Sequence, residues 1–440
     1  MRAGGGTLAK QQQQTTTVTT ANPDILSFSV EKAATEVCRS QLEQVLRAGA
    51  IRLLIDALDR EISDFIEEHR EVRDGAGRQA VVRNGHARAR TIQTGLGPVE
   101  VQVPRARDRN KALRFTSKIL PPYLRRVPSI DNLIPTLYLK GISDEQMGEA
   151  LAAILGEGAA RLSAASVRRL REGWNADFET WNKRDLSGKR YVYIWADGIY
   201  FNVRLTDERP CLLVLVGSLP DGTKELVAIH DGVRESKLSW MEVLHDLRQR
   251  GLAEAPELAI GDGALGFWAA LPEVFPSTRT QRCWVHKTAN VLDKMPKSVQ
   301  PGAKKKIHDM YLAQGRKQAG EAFEDFRKIY GAKYPKAWEC LEKDRDALLA
   351  FYDFPAEHWA HIRSTNPIES LFATVRHRQR QTKGNGSRAA TLAMVFKLAV
   401  EAGKKWRRLR GHAHLAKVVA GVRFIDGIEE GMPNPLENVA

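Results

Sequence analysis

The stretch Arg190-Tyr-Val-Tyr-Ile-Trp-Ala-Asp-Gly-Ile-Tyr-Phe-Asn-Val-Arg-Leu205 admits few folds. Rich in aromatic and β-branched residues, it reads as a long strand. Tyr191, Tyr193, Trp195, Ile199, Phe201, Val203 and Leu205 alternate onto one face, and Val192, Ile194 and Ala196 make the start of the other apolar too. A strand apolar on both sides belongs in the middle of a sheet covered on both faces. Asp197 falls within the first face, where an unpaired carboxylate is costly or takes up a proton. A divalent cation would compensate it. Backbone N–H donors would too, and for a lone Asp that is the commoner solution.

What surrounds this strand must accommodate a polyanion. The 440 residues carry a net charge of +14, which points to nucleic acid as partner. A length of this order suggests about three domains and needs no disulfides to bury a core. Cys38, Cys211, Cys283 and Cys340 are scattered without a disulfide framework, as in a reducing, cytoplasmic compartment. No apolar run reaches the length of a spanning helix, and Met1-Arg-Ala-Gly-Gly-Gly lacks the apolar core of a signal peptide, so no membrane partner is expected.

Along the chain, residues 1–24 are Gln- and Thr-rich and are expected to be disordered. From about Val30 to Arg73, apolar residues recur at helical spacing, among them Leu42, Val45, Leu46, Ile51, Leu54, Ile55 and Leu58. They suit either a dimerisation helix or the core of a small domain, and core is the expectation. Thr91 to Val103 reads as two short strands joined by a Gly-Pro turn, in a region dense in arginine. Residues 25–128 are therefore assigned to a helical and short-β region that contacts DNA ends. Residues 129–180 resemble a helix-turn-helix: a helix from about Ser129 to Lys140, a second capped by Ser143 and Gln146, and a third opening at Ser163 that bears Arg168, Arg169 and Arg171.

An α/β pattern begins after Lys189. Strands at 190–205, 211–217 and 224–230 are separated by short turns at Thr206–Pro210 and Pro220–Gly222, an antiparallel meander. An amphipathic helix from Leu238 to Gly251 follows, with Trp240, Val243, Leu244 and Leu247 on one face. Further strands come at 257–263 and 279–285, flanking a helix at 265–271. This is the order of an RNase H-like mixed sheet: a first part at 189–286, a lysine-rich all-helical insertion at 287–361, closing helices at 362–410 and a tail at 411–440.

Three acidic positions stand out in that order. Asp197 lies on the first strand, Asp262 ends the fourth in Gly261-Asp-Gly263, and Glu369 opens the last long helix in Asn366-Pro-Ile-Glu-Ser370, with Pro367 suited to its first turn. Neighbouring first and fourth strands bring the aspartates to one end of the sheet, and the last helix adds the glutamate. Hard oxygen ligands of this kind suit Mg or Mn. Two such ions, about 3.5–4 Å apart, can activate a nucleophile and stabilise the leaving oxygen of a phosphodiester. Around Glu369 lie Arg363, Arg376, Arg378, Arg380, Lys383 and Arg388, taken as DNA-binding because a phosphodiester beside carboxylates needs charge neutralisation. Cys283 and His286 form half a zinc pattern that His358 and His361 could complete; a role in shaping the acidic site is preferred.

The markers Ala196-Asp-Gly-Ile-Tyr200, Gly261-Asp-Gly-Ala264, Cys283-Trp-Val-His286, Arg363-Ser-Thr-Asn-Pro-Ile-Glu-Ser370 and Lys383-Gly-Asn-Gly-Ser387 together resemble the Mutator-type transposases of bacterial insertion sequences, over nearly all of residues 30–410. The resemblance implies an Asp-Asp-Glu triad at Asp197, Asp262 and Glu369, an RNase H-like core with a helical insertion before the Glu, and support of the site by Cys283, His286 and Asn366. It implies a DNA transposase that binds terminal inverted repeats, cuts with Mg or Mn, joins the freed end to target DNA and works as a homodimer or larger homo-oligomer at the nucleoid. The alternatives are an RNase H-like nuclease or resolvase that does not join, and a DNA-binding regulator that has lost its activity; the intact triad argues against the latter.

Overall fold

The computed structural model describes residues 23–155, 163–201, 211–232, 234–263, 265–381 and 387–432. The Gln/Thr-rich start up to residue 22, the turn at Thr206–Pro210, Lys383 with the Gly384-Asn-Gly386 break, and the last eight residues of the tail lie outside them. The described residues fall into two compact units, one from the stretches 1–131 and 152–159, the other from 132–151 and 160–440.

The first unit is built on a helix, α1 (Pro23–Glu68), and four short strands, β1 (Val81–His86), β2 (Arg90–Thr94), β3 (Gly97–Val101) and β4 (Pro104–Asp108). β1 pairs with β4 and β2 with β3, both antiparallel. Leu58 packs with Ile92, Val99, Val101 and Leu120 in a small core. Two expectations are corrected here. The β2–β3 turn is Gly95-Leu96, since Thr94 pairs with Gly97, and Gly97-Pro98 opens the strand instead. Gly97 takes φ +95°, which leaves glycine the natural residue at the turn's exit. The apolar ridge of α1 is only partly core: Leu42, Val45, Leu46, Leu53 and Ile55 are 45–72% exposed. Leu53 and Ile55 are interleaved with Ile51 and Leu54, which pack against that core.

Helices α2 (Pro128–Leu139), α3 (Asp144–Leu155) and α4 (Ser163–Asn182) follow. The capping box forms as expected: Gln146 N donates to Ser143 Oγ at 3.2 Å, and Ser143 N donates back to Gln146 Oε1 at 3.4 Å.

The second unit holds a five-stranded mixed sheet of order β7-β6-β5-β8-β9. Its strands are β5 (Tyr193–Tyr200), β6 (Cys211–Ser218), β7 (Lys224–Gly232), β8 (Leu258–Gly261) and β9 (Arg279–Arg282). β5, β6 and β7 form the antiparallel meander, and β5–β8 and β8–β9 pair parallel. β6 is buried along its whole length, as a strand apolar on both faces must be. Helices α5 (Lys237–Gln249) and α6 (Leu265–Val274) cover one face, where Trp240, Val243, Leu244, Phe267 and Leu271 meet Ile194, Ala196, Leu213 and Leu215.

A run of helices then interrupts the α/β order: α7 (Trp284–Leu292), α8 (Gln300–Leu312), α9 (Arg316–Phe326), α10 (Pro335–Glu342), α11 (Arg345–Leu349) and α12 (Trp359–Ile362). Of the aromatic stripe at its heart, Phe323 and Phe326 are fully buried, so those two are core. The run is bolted to the sheet by Gln281 of β9, itself fully buried. Its Nε2 donates to Leu348 O at 3.0 Å and its Oε1 accepts from Phe351 N at 2.7 Å. Two closing helices, α13 (Asn366–Gln381) and α14 (Arg388–Gly403), pack on the face of the sheet opposite α5 and α6.

Candidate active site

Parallel pairing of β5 with β8 sets Ala196 opposite Gly261. Asp197 and Asp262 are therefore the next residue along each of two adjacent strands, at the same end of the sheet. Alternation puts Asp197 on the face shared with Tyr193 and Trp195, the face that α13 crosses. Glu369 is in the first turn of α13, its N–H tied to Thr365 O at 3.0 Å. Trp195 Nε1 donates to His361 O at 3.1 Å, which ties the chain just before α13 to this strand.

One ligand atom each from Asp197, His286 and Glu369 lie within 4.8 Å of one another. Asp262 adjoins this group and acts on it through its charge. The Asp197 carboxyl is 6% exposed and accepts from Gly198 N at 2.8 Å. Burial, then the neighbouring Asp262 charge, pushes it up to about 8, with Glu369 adding and His286 opposing. Glu369 is held down chiefly by His286, whose Nε2 sits 3.2 Å from Oε1, and by Arg376, whose Nη2 donates to Oε2 at 2.9 Å.

His286 is on the first turn of α7, one turn from Cys283 at its N-cap. Cys283 accepts from Thr365 N at 3.3 Å, and Thr365 Oγ1 lies 3.4 Å from His286 Nδ1. The contact with Cys283 raises His286, and the same contact lowers the thiol against the upward pull of its burial. The Cys-x-x-His pair thus holds a cationic imidazole against Glu369. His358 does not complete a zinc set: it is fully buried, with Nδ1 on Tyr193 OH at 2.8 Å and Nε2 on Gly411 O at 2.9 Å.

A fourth carboxylate borders the site, one that sequence reasoning missed. A Cβ on Gly198 would lie 2.4 Å from Glu235 Oε1, so the glycine leaves the space this side chain fills. Gly266 gives way to the Glu235 backbone in the same manner, at 2.5 Å from its carbonyl oxygen. Burial and then Asp262 push Glu235 up to about 7, while His286 pulls it down. The only signal in sequence was the glycine beside Asp197.

The donor set fits a hard divalent cation. The observation that tests this is Asp197: without a cation its buried carboxylate is under-compensated and holds a proton near neutral pH. Asp197, Glu369 and the adjoining Asp262 offer oxygen ligands, and His286 would offer a nitrogen on losing its proton.

The basic residues divide. On α4, Arg168 and Arg169 are exposed and Arg171 is half-buried. Arg380 is exposed, and so is Asn366, at the start of α13. Arg388 is exposed but makes a two-bond contact with Asp231, at 2.8 and 2.9 Å. Arg376 is engaged with Glu369, and Arg363 donates to Tyr311 O at 2.9 Å beneath the surface. Arg378 lies deeper than the others. It is 2% exposed, stacks 4.0 Å from the Tyr138 ring centroid and donates to Ile142 O at 3.2 Å, so it packs against α2. Its position in the helical repeat faces α2, not solvent.

A mixed sheet gathers carboxylates at the ends of adjacent strands, with a glutamate brought in by a following helix, and comparison with known proteins places this chain among enzymes of the transposase class. The chain belongs to the Mutator family of transposases, whose family model matches residues 20–409. It is 51% identical over 298 residues to the transposase for insertion sequence element IS6120 of Mycolicibacterium smegmatis, covering 68% of this chain and 92% of that one. It is 49% identical over 296 residues to the transposase for insertion sequence element IST2 of Acidithiobacillus ferrooxidans, covering 66% and 98%. A more distant relative, the transposase for insertion sequence element IS905 of Lactococcus lactis, is 27% identical over 369 residues, covering 83% and 88%. The protein is a DNA transposase, an enzyme that cleaves and joins DNA strands. Among the described residues no helix is long and apolar enough to cross a membrane.

Proposed function

We propose that Asp197, Asp262 and Glu369 are the catalytic carboxylates of this transposase and hold Mg or Mn, two ions per site, on an RNase H-like core. The observation that carries the reading is the approach of Asp197, His286 and Glu369 to within 4.8 Å across three separate elements. The cation, when bound, polarises the scissile phosphate and lowers the barrier to in-line attack at phosphorus. Asp197 would hold the cation once it had given up its proton. Glu369 is kept ionised by His286 and Arg376, so it is ready to bind without a proton step. Cys283 and Thr365 fix the imidazole of His286, and Asn366 starts the turn that carries Glu369.

Terminal inverted repeats are the natural specific substrate, read through residues 25–180 with Arg168, Arg169 and Arg171 on the reading helix. Arg363, Arg376, Arg380, Lys383 and Arg388 neutralise the DNA near the site. The region 287–361 acts as a helical insertion between the two parts of the core. Two or more copies work together, which the exposed apolar ridge of α1 supports, in the cytoplasm at the nucleoid. The test is Asp197→Asn, with Asp262→Asn and Glu369→Gln beside it. Each keeps the side-chain shape and removes a ligand charge, so each should abolish both cleavage and joining while end binding persists. An Asp197→Asn protein that still cuts element ends would overturn the site.

A further inference from the structure

Beside Asp262 a second feature opens that none of the catalytic roles uses. Gly263 forms one wall of a cleft of about 550 Å³ that runs from the end of β8 between α7 and α10. A Cβ on Gly263 would meet Arg282 Nη2 at 3.4 Å and Asn290 Nδ2 at 3.6 Å, so two donors face the backbone right after the catalytic aspartate. Arg282 is buried and fixed: its guanidinium lies 5.5 Å from the Trp268 ring centroid, and Trp268 Nε1 donates to Asp262 O at 2.8 Å. Lys287, 3% exposed, lines the cleft alongside it. Asp344 takes both buried cations, Arg282 at 3.3 Å and Lys287 in close contact. The rim carries Lys294, Lys336 and Lys343, all exposed, against the single carboxylate of Glu339. Five cations thus face two carboxylates, and the excess positive charge lines a groove that starts at the cutting site.

We propose that this groove binds the phosphodiester backbone of the DNA strand beside the scissile phosphate, and so sets the position of the cut. The inference rests on the catalytic reading of Asp262, because that residue places the scissile bond at the groove's mouth. Buried Arg282 and exposed Asn290 supply hydrogen bonds to the phosphate nearest the carboxylates. Lys294 and Lys336, which pair with no carboxylate among the described residues, neutralise the next ones along. A backbone carries no base information, so this contact positions the strand while sequence is read elsewhere.

The test uses the full chain with Lys294→Glu and Lys336→Glu together, both on the surface, so the fold should survive. Binding to an end-containing duplex is measured without metal over about 50 to 200 mM salt. The expected result is a loss of roughly tenfold or more at low salt, and a log–log salt slope shallower by about one to two. The control is Lys304→Glu with Lys305→Glu, the same change of charge on exposed residues of α8. It should leave the slope close to that of the unaltered chain. Mn binding to all three proteins, followed by calorimetry, should be equal; this separates failure of the groove from failure of the carboxylate site, which Asp197→Asn tests on its own. A photo-cross-linker on Lys336→Cys should capture nucleotides within a few positions of the cut. An unchanged slope in the groove variant, an equal loss in the control, or cross-links scattered along the duplex would overturn the proposal.

Discussion

At the residue scale, the site sets a buried carboxyl beside other carboxylates, a histidine and an arginine. Asp197 is pushed up to about 8, well above the ordinary carboxylate range. An acid raised on folding favours the fold while protonated. That contribution is complete below about pH 4 and is lost as pH climbs towards 8. A cation held at Asp197 would take the proton's place and release it, and His286 would also have to shed its proton for its nitrogen to ligate. The stabilisation by Mn should therefore be small near pH 5.5 and grow up to about pH 8, read as a thermal shift at fixed Mn. Asp197→Asn should flatten that growth. A shift independent of pH, or the same shift in Asp197→Asn, would show that the cation does not sit at this carboxylate. Asp197 was legible in sequence because a carboxylate in an apolar strand demands compensation. Glu235 was not: it is polar, in a loop, and reaches the site only because Gly198 and Gly266 lack side chains.

At the element scale, the sheet was readable because its strands are apolar on both faces and its turns are short. Strand order followed, since a meander and two later strands leave β8 free to join β5. Helix phase was less informative. It located Arg378 correctly on α13 but not the partner waiting on that side, Tyr138 of α2. It also could not show that most of α1's ridge lacks a cover among the described residues, because periodicity reports a face and not what meets it. One buried tie between the helical run and the core is a side chain that no pattern marks, Gln281. Gln281→Leu keeps much of the bulk and leaves Phe351 N–H without its partner, while Leu348 O keeps its bond from Trp284 Nε1 at 2.8 Å. A buried group stranded in this way costs about 1–3 kcal/mol, so the variant should lose about that much. Urea unfolding followed by tryptophan fluorescence checks the size. Limited proteolysis checks the place: new cuts should appear between α10 and α13 while the strands stay resistant. Stability equal to that of the unaltered chain would mean that Gln281 does not help fasten the run.

At the scale of the whole molecule, a net charge of +14 sets a salt-dependent affinity for any DNA, and specificity has to come from somewhere more local. The helix α4 is the place to look. Its C-terminal half is anchored in the catalytic unit, where Trp181 and Phe178 pack on Phe396 of α14 with ring centroids 5.0 and 5.5 Å apart. Asp177 also pairs with Lys397. Nearer its start, the helix leaves Arg168 and Arg169 exposed. A helix fixed at one end and cationic at the other can present those side chains to a groove without bending. A fragment ending near residue 180 would cut α4 before Trp181 and expose this packed face, so the full chain is the right object for the measurement. Arg168→Ala with Arg169→Ala should weaken binding to element ends more than binding to random duplex of the same length. If these arginines read bases, the discrimination lost is about 1–3 kcal/mol for each contact, a tenfold to hundredfold change in the ratio of the two affinities. Cleavage at saturating DNA should persist, because the carboxylates are untouched. Equal losses on both duplexes would assign Arg168 and Arg169 to phosphate contact alone and move sequence reading to another element. No loss on either would take α4 out of the DNA interface.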